Sequence, residues 1–168
     1  PEIVRCNLST VVLQLKSMGV KNIQKFDFMS PPSKQSLTKS LQILYILGAI
    51  NKKGSLSELG ERMAQFPLDP MYAVALIKSE EFGCVDEILS IVSMLSVETI
   101  FYSPHNKRDE ANKAKMKFAS KLGDHLTLLR VYQAYVEVAG AALGYKEVDR
   151  WCFDHFINAK SMKKVIEV

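Results

Sequence analysis

Apolar positions recur at three- and four-residue intervals along most of the chain, and glycine or proline interrupts them at regular places. Leu8, Val11, Val12, Leu15 and Met18 trace one helical face, which Gly19 ends. Phe26 to Pro32 then alternates apolar and polar residues before a proline pair, which predicts an extended segment. Ser33 or Ser36 caps a second helix whose Leu37, Leu41, Leu44 and Leu47 form a stripe ending at Gly48. Residues 49–56, with Lys52-Lys53-Gly54 at the turn, read as a short β-hairpin, and Ser57 caps a third helix with Leu59, Met63 and Phe66 on its inner face.

The stretch Ala64 to Met71 is a joint. Pro67 cannot continue a helix, Asp69 caps the next one, and Pro70 suits its first position because no donor is lost there. Phe66 and Leu68 are apolar residues in a connector, which predicts that they latch onto the helices on both sides. Beyond the joint the pattern is helical throughout. Tyr72 to Phe82 is apolar on most sides and stops at Gly83, and Val85, Ile88, Leu89, Val92 and Leu95 give the next stripe. A basic helix from Lys107 to Leu122 follows. Asp124 then caps a helix with Leu129, Tyr132 and Val136 on one face, and Ala139 to Gly144 is a small-residue connector. Trp151, Phe153, Phe156 and Ile157 mark an aromatic helix, and Met162 to Val168 a last one. The expected fold is mainly α: a winged-helix subdomain with a small β-hairpin over 1–68, then a ratchet-like helical bundle over 69–168.

Composition adds three limits. No apolar run approaches the ~20 residues that span a bilayer, and no secretory leader is visible. Cys6, Cys84 and Cys152 are odd in number and far apart, which argues against a disulfide framework and for a reducing compartment. The chain starts at Pro1 and ends inside a helix pattern, so the expectation is a portion of a longer protein. Net charge is +4. His105 to Lys121 holds six basic residues against Asp109 and Glu110, an excess equal to that of the whole chain. A cationic stripe suits polyanions, and a solvated helix face has the same composition.

Catalytic and cofactor chemistry is sparse. The phosphate-cradling G-x-x-x-x-G-K-[ST] loop and the G-x-G-x-x-G turn are absent. Cys152 and His155 have ligand-like spacing without a second pair, and read as a buried thiol and a helix-surface imidazole. Asp124, His125 and Thr127 read as a helix start before they read as an acid–base pair. No cofactor is expected on this chain, and the chain alone is not expected to be an enzyme. The one constellation with binding character is Phe101-Tyr102-Ser103-Pro104 followed by Lys107, Arg108, Lys113 and Lys117. Rings stack on unpaired bases while cations track phosphates; the alternative is that the rings tuck under the bundle and the lysines are only hydrated.

An ordered set of segments resembles one family. Pro1-Glu2-Ile3 with Arg5 and Asn7-Leu8, Leu13-Gln14-Leu15-Lys16, Phe26 to Pro32, Leu47-Gly48-Ala49, Leu59-Gly60 and Phe66 to Met71 are similar to the winged-helix portion of DEAH-box RNA helicases. Glu87-Ile88-Leu89, Met94-Leu95-Ser96-Val97, Gly123 to Leu129 with Val131-Tyr132, and Trp151-Cys152 with Phe156 resemble the helicase-associated ratchet bundle that follows. The resemblance implies a non-motor region of an ATP-dependent RNA helicase. ATP and Mg would bind two RecA-like motor domains of the same protein, and an OB-like domain would follow. The bundle would wall a single-stranded RNA channel, with Phe101, Tyr102, Ser103, Lys107, Arg108, Lys113, Lys117, Asp124, His125 and Thr127 as the matching residues. A G-patch activator on the winged helix, a nuclear location, and work in splicing or ribosome biogenesis are further implications. Two departures stand out: the apolar connector Val138 to Glu147, and the basic tip Lys52-Lys53-Gly54 where an acidic turn is common. The competing readings are a winged-helix DNA-binding regulator, for which the Ser36 to Leu47 helix offers only Lys39 and Gln42, and a protein-interaction scaffold.

Overall fold

The computed structural model describes residues 7–141 and 144–167. The motif residues Pro1, Glu2, Ile3 and Arg5, together with Cys6, Ala142, Leu143 and Val168, lie outside the described residues. The chain divides into two units, Pro1–Gly83 and Cys84–Val168.

The first unit contains α1 (Leu8–Ser17), α2 (Lys34–Ile46), α3 (Glu58–Ala64) and α4 (Pro70–Phe82). Each begins with a side chain that accepts a backbone N–H of its first turn: Asn7, Ser33, Ser57 and Asp69. Helix α1 packs on α2, α3 and α4, around a core that includes Val12, Leu13, Leu44, Met63 and Ala73. Leu13 replaces Met18 on the inner face of α1; Met18 caps the helix and is exposed. A 3₁₀ turn over Ile23–Lys25, which the hydrophobic pattern missed, buries Ile23.

The expected β-hairpin is corrected by the structure. Residues 49–56 make a single antiparallel bridge, Ile50 to Leu56, and no strand occurs among the described residues. The reason is length. Asn51 Oδ1 accepts the Lys53 and Ser55 N–H groups at 2.9 and 3.1 Å, closing the turn locally, and Ser57 already starts α3. Gly54 takes φ +75°, as the turn requires.

In the joint, Phe66 and Leu68 pack against the first unit's core. Asp69 Oδ1 accepts Met71 N at 2.9 Å, its other oxygen accepts the Asn7 side-chain amide, and buried Pro70 opens α4. One carboxylate therefore serves the starts of both α1 and α4. Helix α4 packs on α3 and α1 and ends at Gly83 with φ +65°.

The second unit contains α5 (Val85–Leu95), α6 (Arg108–Met116), α7 (Asp124–Ala141), α8 (Tyr145–Asp154) and α9 (Ala159–Glu167). Helix α5 packs on α7 and α9, and α8 on α7 and α9, over a core that includes Met94, Val131, Cys152, Ile157 and Met162. Several expected boundaries and faces shift here. The basic helix stops at Met116 rather than Leu122. Helix α7 starts with Asp124 as its first helical residue and runs through Val138 to Ala141, taking up part of the expected connector. Its buried face is Thr127, Val131 and Tyr135, while Val136 is exposed; on α5 the buried residues are Ile91 to Met94, and Val85 and Leu89 are exposed. No helix among the described residues is long and apolar enough to cross a membrane.

Candidate nucleic-acid interface

The aromatic segment ahead of α6 is pinned to the end of α8. Phe101 bridges Ile157, Asn158 N donates to Ile100 O at 2.8 Å, and Tyr102 N donates to Phe156 O at 3.0 Å. The Tyr102 hydroxyl donates to Phe153 O at 3.4 Å, and its ring sits 5.7 Å from that of Phe156. Phe156 makes this possible by adopting φ +56°. It occupies the left-handed position that glycine commonly fills after a helix: Ile157 N reaches back to Cys152 O and Phe156 N to Phe153 O. The strain, on the order of 1 kcal/mol, is held by burial of Ile157 in the core. The same turn swings Ile157 and Asn158 against the 100–102 segment.

Both rings of the predicted site are therefore half-buried and engaged within the bundle. Lys115 Nζ lies 5.3 Å from the Phe101 ring centroid, so a cation covers one face of that ring. Ser103 is exposed. Tyr102 and Phe156 line a cavity of about 360 Å³ together with Phe153, Asn106, Lys107 and Glu110.

Helix α6 buries Ala111 and Ala114. With 3.6 residues per turn, Arg108, Asn112 and Lys115 fall on one flank, and Glu110, Lys113 and Lys117 on the other. The structure thus splits the cationic stripe: Arg108 shares a flank with Lys115 two turns on, and Lys113 and Lys117 lie on the other flank. Lys107 approaches Glu110 at 3.9 Å in an exposed pair, worth little in stability.

The helix ends early because Phe118 turns inward. Its ring lies 6.1 Å from Trp151 and 5.6 Å from His155. Trp151 also meets Tyr135 edge-on and tilts against His155 at 4.6 Å, while His155 Nδ1 donates to Trp151 O at 2.8 Å. Two side chains of α7 then clasp the connector between α6 and α7. Thr127 Oγ1 accepts Ser120 N at 2.9 Å and donates to Gly123 O at 3.3 Å; Arg130 Nη1 donates to Ala119 O at 2.7 Å. Thr127 is buried with its hydroxyl committed to this clasp, whereas Asp124 and His125 are exposed at the start of α7. Below it, burial pushes the Cys152 thiol up to about 11, Asp149 adding to the rise and Lys163 opposing it.

Two family models match the chain. One, described as "Helicase associated domain (HA2), winged-helix", matches residues 40–68; the other, "Helicase associated domain (HA2), ratchet-like", matches residues 69–128. Two curated relatives carry the name "Probable ATP-dependent RNA helicase DHX35", from Pongo abelii and Homo sapiens. Each is 43% identical over 169 aligned residues that cover the whole of this chain. The chain belongs to the helicase-associated (HA2) family of DEAH-box RNA helicases. It spans 22% and 23% of the length of those two relatives.

The HA2 winged-helix match ends at Leu68 and the ratchet-like match begins at Asp69, inside the joint. The ratchet-like match takes in Phe101 to Lys117 and the start of α7 through Leu128. Lys115 counts in the cationic stripe but is not among the expected contact residues, although its seven-residue spacing from Arg108 marks one helix flank. Ser120 and Arg130 are absent from the expected set as well, because no local signal foretells a clasp between a connector and the following helix.

Proposed function

We propose that this chain is the non-motor, RNA-guiding region of an ATP-dependent RNA helicase. In that role the second unit forms part of a wall along single-stranded RNA, coupling the strand to movements of RecA-like motor domains in the same protein. The observation that carries the reading is the identity of 43% across the whole chain with proteins named as ATP-dependent RNA helicases. The charge pattern agrees: exposed Arg108, Lys113 and Lys117, with Ser103, Asp124 and His125, offer cations and polar groups at the surface of one unit. Phe101, Tyr102 and Thr127 would act from beneath, holding that surface in shape. ATP and Mg belong to the motor domains, and an OB-like domain completes the channel. Remodelling during splicing or ribosome biogenesis, in the nucleus, is the setting proposed.

The test is titration of the chain with labelled poly-U at two salt concentrations. Weak binding that falls with salt is expected, because neutralised phosphates release counterions, with no ATP turnover. Robust ATP hydrolysis, or tight salt-insensitive binding, would count against the reading.

A protein-docking role for the first unit is a second reading with its own observation. Leu41, Tyr45 and Ile50, with Gln42, Lys52 and Lys53, line an open groove of about 540 Å³ between α2 and the 51–54 turn. A G-patch activator is the proposed occupant. Loss of its pull-down on changing Tyr45→Ala, with poly-U affinity unchanged, is the expected result.

A further inference from the structure

Apart from the cavity beside Tyr102 and Phe156, the second unit holds a polar cleft of about 430 Å³ between the loop after α5 and the start of α9. One wall is Ser96, Glu98 and Thr99; the other is Lys160, Ser161 and Lys164. Lys160 and Lys164 are one turn apart on α9, whose opposite side buries Met162 and Val165. The third lysine of this helix, Lys163, is bound to Asp149 at 2.9 Å. Lys160, Lys164 and Glu98 make no ion pair among the described residues, so the cleft keeps a cationic excess. The two walls are tied together, since Asn158 N donates to Ile100 O at 2.8 Å. Asn158 Oδ1 is taken by the Lys160 and Ser161 N–H groups at 3.1 and 3.3 Å. The attraction for anions therefore comes from the two ammonium groups, with hydroxyls beside them.

We propose that this cleft is a second RNA-contact site, taking phosphates of a single strand through Lys160 and Lys164, with Thr99 and Ser161 as hydroxyl donors, the Ser96 hydroxyl being committed to Ser93 O at 2.7 Å. The proposal rests on the RNA-guiding reading and adds residues outside the aromatic and α6 set. Two ammonium groups and two hydroxyls match phosphodiester oxygens. With the Asn158 carbonyl oxygen occupied and no ring in the cleft, contact is to the backbone and is insensitive to base. The cleft also adjoins the aromatic set. Thr99 and Ser103 are separated by at most about 14 Å of extended chain, so one strand passing Ser103 reaches the cleft.

The experiment compares the wild-type 168-residue chain with Lys160→Gln/Lys164→Gln and with Lys160→Arg/Lys164→Arg, using labelled poly-U and poly-A across a salt series. Both lysines are exposed, and circular dichroism checks that the fold is kept. Each lost phosphate contact lowers the salt slope of log K by about 0.7 for single strands. The glutamine pair should therefore lose about 1.4, equally for both polymers, and the arginine pair should keep the wild-type slope. An unchanged slope in the glutamine pair, with normal wild-type binding, would overturn the cleft and leave the RNA-guiding reading standing. Wild-type protein that binds neither polymer would overturn both. Polyglutamate displacing poly-U as well as unlabelled poly-U does would overturn the RNA assignment in favour of an acidic polypeptide.

Discussion

The two units solve the same problem, orienting short helices, by different means. In the first, each helix opens on a side-chain cap, and the Asp69 carboxylate touches the starts of two helices. In the second, α6 and α8 begin at Lys107 and Gly144 without a side-chain cap. Order there comes from reaches between elements: Thr127 and Arg130 onto the α6–α7 connector, Phe118 into the Trp151 cluster, and the 100–102 segment onto the end of α8. Local capping makes a unit whose helices are held one by one. Distant clasps make a surface whose shape depends on contacts that one substitution can release.

The contrast is sharpest at Gly60. A Cβ built there would lie 2.1 Å from Ala49 O, the carbonyl that accepts Ser57 N, and backbone cannot move aside cheaply. Gly60→Ala is expected to cost about 3 kcal/mol or more. Amide exchange should accelerate across α1 to α4 while α7 to α9 stay protected; equal loss in both units would contradict the separation. Thr127→Val comes next. It strands the Ser120 N–H and should cost about 1–3 kcal/mol, with faster exchange confined to residues 117–130 and weaker poly-U binding. Retained protection at Ser120 would show that the clasp is dispensable.

The smallest effect concerns Cys152. Its thiol is raised from 9.0 to about 11, chiefly by burial. A raised folded value means its contribution is complete below about pH 9 and is lost as pH climbs towards 11, because the unfolded thiol ionises first. The urea midpoint should fall over that window, and the fall should be shallower in Cys152→Ala. Identical pH profiles would remove Cys152 from the second unit's stability.

The helices of the first unit were readable from sequence because their signals are local. Ser33, Ser57, Asp69-Pro70 and Gly83 each act within a turn of the chain, and the apolar stripe of α2 points where expected. The hairpin was not readable as it stands, since Asn51 closes the turn with its own side chain and leaves a single bridge. In the candidate interface, the residue types and their order were visible, while their exposure was not. A phenylalanine beside lysines reads alike whether its ring is bare or, as with Phe101, covered by Lys115.

The amino-acid order alone determined where most helices start and stop, the break and capped restart between Phe66 and Pro70, and the concentration of charge between His105 and Lys121, because caps, prolines and charge act over one turn or less. Tertiary structure decided the rest. It shortened the basic helix at Met116, turned Thr127 inward, divided the cations between two flanks and brought Ser96 and Thr99 opposite Lys160 and Lys164. Those outcomes depend on which side of each helix the core claims, and that is settled only when residues far apart in sequence compete for the same buried space.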